Sequence, residues 1–298
     1  MATKTSLSFN IRFDQPVKVW VLQLGGWLPA QLTGVGVVLV DRNVVSALSA
    51  LADHPDRTDM DAERWWLAHL DSERFVLNPV LCASEGGFRG VPTFQEFCDG
   101  LAEASEILVK GLPKARLIQH DRAHFDRLYD NVTAAASRQE GETAFLSDVA
   151  RLIASRVSAG SDRKVEATII EAARTAGLLL HSFAVLAVLS CLYEPQDGNE
   201  PLIGRGVVKP TTTYSAADAH NTLADLRSLE FLAATSSLQG PTPGFCTRDK
   251  DLAAFWSGLG VSAPTWTGRT FSADLAPTLQ LFPRLDEEAL ADLFTRLR

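Results

Sequence analysis

The chain alternates between short β-branched runs and segments whose apolar residues recur every three or four positions, the two periodicities of strand and helix. GVGVVLVD, residues 34–41, is a continuous apolar run entered through glycines and closed by a carboxylate. A central parallel strand covered on both faces has that pattern. NVVSALSAL then carries apolar residues at helical spacing until the breaker-rich ADHPDRTD. DAERWWLAHL predicts a second helix, with acids in the first turn where the helix dipole favours them. RFVLN, residues 74–78, predicts a second strand. Pro79 opens PVLCASEGGF as a helix start carrying Glu85, and Pro92 stands at the entrance of the helix VPTFQEFCDGLAEASEILVKGL.

The same alternation closes the chain. SAADAHNTLADLRSLEFLAATSSL predicts a long helix with Ser215 as N-cap and Asp218 in its first turn. GFCTRD, residues 244–249, reads as a strand ending in a carboxylate, followed by the helix DLAAFWSGLG with its glycine stop. PTWTGRTFSADL gives a last strand or an irregular crossing, and DEEALADLFTRLR an amphipathic C-terminal helix. At the other end LSFNIRF and VKVWVLQL, separated by Asp14, Gln15 and Pro16 and closed by Gly25 and Gly26, predict an N-terminal β-hairpin or edge strands. From 114 to 194 every segment has helical periodicity, and 194–215 is a Pro, Gly and Asn-rich loop. The expected fold is α/β: a Rossmann-like parallel sheet flanked by helices, with an N-terminal β-hairpin and a mainly helical insertion. It forms one domain over 1–298, with its core from 33–113 and 207–298 and the insert over 114–206.

At 298 residues the chain can bury a core without disulfides or structural metal. Cys82, Cys98, Cys191 and Cys246 form no CxxC pair, so reduced, buried thiols are expected. The first twenty residues hold no apolar h-region, which predicts a cytoplasmic protein. Ala176 to Tyr193 is the most apolar stretch, but it contains His181 and two serines and reads as a buried helix rather than a membrane span. A net charge of −8 argues against coating nucleic acid by bulk electrostatics. It leaves a nuclease open, because bound metal reverses the sign of an acidic pocket.

Ligands of an open parallel sheet bind beyond the carboxyl ends of its strands. Asp41 and Asp249 stand at two such ends, Glu85 on the helix after a third strand, and Asp225 on the helix leading to the strand before Asp249. Carboxylates gathered in a cleft repel one another unless a cation lies between them, and hard cations such as Mg²⁺ take oxygen ligands. Asp218 and Asp251 read as helix-dipole acids nearby. Arg42, Arg89, Arg227, Arg248 and Lys250 adjoin the acids and offer phosphate contacts, or salt bridges to the same carboxylates. His120 and His124 share a helix face in HDRAH, yet the glutamate of HExxH is missing, which disfavours zinc. Trp65 and Trp66 cannot share one helix face, so one is expected to be exposed or packed under the insert.

LVDRNVVSAL resembles the opening of the PIN-like nucleases, in which a strand ends in an Asp, often with an Asn two residues on, and a helix begins. RFVLNPVLCASEG resembles their second strand and Glu-bearing helix. DLRSLEFLAA and FCTRDKDL resemble their closing helix-borne Asp and strand-end T-x-D. The resemblance implies that Asp41, Glu85, Asp225 and Asp249 hold Mg²⁺ or Mn²⁺, with Asn43 and Thr247 orienting the first and last. It implies a metal-dependent nuclease, RNA being the favoured substrate, of the kind found among toxins and defence effectors. The N-terminal hairpin and the helical insert are additions to that pattern. Two other readings compete. One is a non-catalytic interaction module or homo-oligomer, with the apolar helix at 176–193 of the insert and the amphipathic C-terminus as its partner surface. The other is a haloacid-dehalogenase-type phosphatase with Asp41 as nucleophile, against which Asn43 stands where a second carboxylate is needed.

Overall fold

The computed structural model describes residues 11–85, 90–119, 122–133, 136–196, 201–238, 240–266 and 271–298. A hairpin of β1 (Trp20–Gln23) and β2 (Gly26–Leu28) comes first. It turns at Gly25, whose φ of 85° suits glycine, and not at the Asp14–Pro16 punctuation. Residues 7–10 of the expected first run lie outside the described residues, and 11–13 are not strand. Then follow β3 (Val37–Val40), α1 (Arg42–Asp53), α2 (Asp61–Ala68), β4 (Val76–Asn78), α3 (Val80–Glu85) and α4 (Phe94–Gly111), in the order the periodicity predicts. Thr93 and Glu96 start α4 with a reciprocal capping box.

Three expectations for the middle of the chain are corrected. Arg116–Leu117 is a strand, β5, where helix was expected throughout 114–194. It precedes α5 (Arg122–Thr133), α6 (Ala136–Val149) and α7 (Asp162–Thr175). The apolar stretch 176–193 is not one helix: Gly177 at φ 71° ends α7, and only Phe183–Leu192 is helical, as α8. The expected 194–215 loop contains α9 (Ile203–Val208), so it is no long structureless connection. Among the described residues no helix is long and apolar enough to cross a membrane. The remaining elements are α10 (Ala216–Thr235), β6 (Pro243–Thr247), α11 (Lys250–Leu259), the β7 (Ser262–Trp266) and β8 (Phe271–Asp274) pair, and α12 (Glu287–Arg296).

The main sheet has the order β2-β1-β6-β3-β4-β5 among the described residues. β6, β3, β4 and β5 are parallel, while β1 runs antiparallel to both β6 and β2. The protein is thus mixed α/β, with a mainly parallel central sheet flanked by helices. From β3 the chain steps to β4 and then β5, whereas β6 returns on the opposite side of β3. The strand order therefore reverses between β3 and β6, and a crevice opens at the carboxyl ends of such a pair. Val40 is in register with Cys246, which brings Asp41 and Thr247 side by side at that edge.

Alternation along the strands divides the core in two. Val21, Val38, Val40, Leu77 and Cys246 pack with α1, α2 and the C-terminal half of α4. Leu22, Leu39 and Phe245 point the other way, into a cluster built by α6 to α11. The helices expected as an insert therefore share one core with the sheet, α6 and α8 packing on it through α10. Trp66 is fully buried and its indole donates to Pro16 O at 2.6 Å, while Trp65 is half-buried beside His69. The pair packs under residues 13–17, away from the helical insert. Cys82, Cys191 and Cys246 are buried thiols, and Cys98 is half-buried.

Candidate carboxylate site

The reversal point is tied together by one side-chain network. Asp41 ends β3 and caps α1, its Oδ1 accepting the Asn43 N–H at 3.3 Å. The Asn43 amide nitrogen donates to Asp41 Oδ2 at 2.6 Å and to Thr247 Oγ1 at 3.1 Å. Thr247 Oγ1 donates to the same Asp41 Oδ2 and accepts the Asp249 N–H at 3.0 Å. Asn43 Oδ1 accepts the Arg248 N–H at 2.9 Å. A hydroxyl has one proton and two lone pairs, so the Thr247 side chain is fully used, and the amide orientation of Asn43 is dictated by its partners. Asp249 caps α11, with Oδ1 accepting from Asp251 N and Leu252 N at 2.8 and 2.9 Å. Both aspartates thus serve as helix caps, and each keeps one oxygen outside its strongest hydrogen bonds.

Glu85 ends α3 and Asp225 lies midway along α10, so four elements deliver four carboxylates. Their electrostatics link them. Burial pushes the Asp41 carboxyl up to about 6, against the Thr247 hydrogen bond and with help from the charge of Asp249. Asp225 is pushed up to about 8, first by burial and then by Asp41 and Asp249, with Lys209 opposing. Glu85 is raised well above its usual range by burial and by Asp41 and Asp225, which Arg42 partly offsets. Burial likewise raises Asp251, assisted by Asp249. A buried group of mutually repelling carboxylates takes up protons or cations to relieve the repulsion.

The flanking residues sort differently from the sequence expectation. Arg227 points to α6, donating to Glu142 at 3.2 Å and Gln139 at 3.3 Å. Arg248 reaches Glu63 of α2 at 3.2 Å and the Asn43 carbonyl at 3.5 Å, locking α2 to the strand ends. Arg42 donates to Cys82 O at 3.3 Å. Asp218 forms the capping box of α10 with Ser215, and Lys250 is exposed. Arg89, His120 and Asp121 lie outside the described residues. Two participants were not singled out by sequence. Glu63 is buried among cations, and Lys209 places Nζ 3.8 Å from Asp249 Oδ2. Neither belongs to a local motif, so only tertiary packing reveals them.

Comparison with family models, curated proteins and solved structures found no match to this chain. The donor chemistry at the crevice is all oxygen and anionic, which fits Mg²⁺ or Mn²⁺. Among the described residues, no three histidine, cysteine, aspartate or glutamate side chains are grouped closely enough to hold a metal ion.

Proposed function

We propose that this chain is a divalent-metal-dependent nuclease built on a Rossmann-like, PIN-like sheet, hydrolysing phosphodiester bonds of RNA. The observation that carries the reading is the convergence of Asp41, Glu85, Asp225 and Asp249 on the strand-order reversal, each within electrostatic reach of at least one other. A bound Mg²⁺ or Mn²⁺ would activate the attacking water and neutralise charge on the leaving oxygen. In that reaction an oxygen–phosphorus bond forms, the ester P–O bond breaks, and the leaving oxygen takes up a proton.

The chain's own part is placement. Asn43 and Thr247 grip Asp41 Oδ2, which restrains the side chain and leaves Oδ1 with one long bond, to the Asn43 N–H. Asp249 is fixed in the same manner through Oδ1 by two backbone N–H groups of α11. Because the Asp249 N–H also bonds Thr247, whose hydroxyl donates to Asp41, the two acids are linked through one side chain.

Asp41→Asn and Asp249→Asn test the reading. Mn²⁺ titration by calorimetry, run beside cleavage assays on single-stranded RNA and DNA, should show metal binding and cleavage in the wild type. Both should be lost in each variant while far-UV circular dichroism stays unchanged. Cleavage retained by both folded variants would overturn the assignment. Preferential cleavage of DNA would correct the substrate.

A further inference from the structure

The cations around the crevice are not equivalent. Arg42 is held by Cys82 O, and Arg248 by Glu63 and Asn43. Lys209 instead faces Asp249 Oδ2 at 3.8 Å, beyond hydrogen-bond distance, with its side chain 66% exposed. An exposed pair of that kind adds little to stability. The backbone beneath it is nonetheless in the left-handed region, at φ 50° and ψ 50°, which a residue with a Cβ adopts only when the surroundings impose it.

The surroundings do impose it. α9, which ends at Lys209, is seated on α8 and α11 through two glycines. A Cβ on Gly204 would come within 2.5 Å of the Cys191 nitrogen, and one on Gly206 would overlap the Asp251 side chain. Arg205 anchors the same turn with a two-pronged pair to Glu194 at 2.7 and 2.8 Å and with bonds to the Ile153 and Ala154 carbonyls. Pro210 follows at once and fixes the exit of the chain. The backbone at Lys209 is thus held in place, while its ammonium stays free to leave Asp249 for a stronger anion.

We propose that Lys209 is the cation that receives a backbone phosphate of the bound strand at the mouth of the carboxylate crevice. This rests on the nuclease reading and adds a residue that contacts substrate. Lys209 Nζ stands 3.8 Å from Asp249 Oδ2, and its charge offsets the acids that would otherwise repel the strand. Asp225 and Asp251 also feel that charge.

The test compares wild type, Lys209→Ala and Lys209→Arg by Mn²⁺ calorimetry and by kcat/KM on single-stranded RNA across a salt series. Losing one phosphate contact should lower the magnitude of the log–log salt slope by about 0.7 in Lys209→Ala. kcat/KM should fall about tenfold at low salt, and Mn²⁺ affinity should be unchanged or tighter, because a competing positive charge is gone. Lys209→Arg should keep the wild-type slope. An unchanged slope and kcat/KM in Lys209→Ala, with the wild type binding Mn²⁺ and cleaving, would overturn the Lys209 assignment alone. Loss of Mn²⁺ binding in Lys209→Ala would overturn it too, by making the lysine a prop for the acids. A wild type that neither binds Mn²⁺ nor cleaves would remove the nuclease reading and this one with it.

Discussion

Asp225 illustrates what burial and neighbouring acids do to a carboxyl when the one opposing cation, Lys209, only partly offsets them. Its folded value of about 8 stands above the ordinary 3.8, so the folded state holds the proton more tightly than the unfolded chain does. The resulting stabilisation is complete below pH 3.8 and drains away as pH rises to about 8; Asp41 adds a similar loss ending near 6. In chelated buffer the wild type should therefore lose thermal stability between pH 5 and 8. Asp225→Asn, which cannot ionise, should be more stable than wild type at pH 8 by up to several kcal/mol, one pKa unit being worth about 1.4. Thermal unfolding followed by circular dichroism at several pH values decides it, and a variant no more stable than wild type at pH 8 would refute the burial argument. Adding Mg²⁺ should narrow the gap. At this scale much of the site was legible, because Asp41, Asn43, Thr247 and Asp249 sit in two contiguous words at strand ends, where position along the strand already says which way a residue faces. The salt bridge of Arg227 goes to Glu142 and not to the neighbouring acids, a partner 85 residues away that sequence proximity does not suggest. Lys209 was invisible, because a left-handed lysine has no signature in a single sequence.

Secondary elements succeeded where they were long enough to show a period. β3, α1, α4, α10 and α11 each carry a run of apolar positions framed by a cap or a glycine, and their limits follow from those signals. β5 has two residues and α9 six, fewer than either periodicity needs, so both vanished into a helical block and a loop. What holds α9 is instead close backbone approach, and the glycines are its only trace in sequence. Gly204→Ala tests this. Its new methyl would meet the Cys191 nitrogen and the Ser190 carbon, backbone atoms that cannot swing aside. A loss of about 2–3 kcal/mol in urea unfolding is expected, at the upper end for overpacking. A loss under about 0.5 kcal/mol would mean that α9 is not seated as tightly as the geometry implies.

The whole molecule departs most from its linear reading in the standing of residues 114–206. Length and helical periodicity suggest an appendage to a finished core, and sequence could say nothing else, because which face of a sheet a helix covers is a long-range fact. The apolar side chains say otherwise. Phe145, Leu146, Ile169, Leu186 and Leu189 belong to one continuous buried cluster with Leu22, Leu39 and Phe245 of the sheet. α10 lies on β6, and α6 and α8 pack on α10 in turn, so the helical block and the sheet share one buried cluster. Folding of the site and folding of the helical layer should therefore be a single event. Leu186 is fully buried in α8, and its truncation to alanine should cost about 2–5 kcal/mol. Native-state hydrogen exchange of Leu186→Ala should show that loss equally in the slowest amides of α8 and in those of β3 and β6, which lie on the far side of α10. Destabilised α8 amides beside unchanged β3 and β6 amides would instead make the helices a separately opening unit, and the carboxylate crevice would then owe nothing to them.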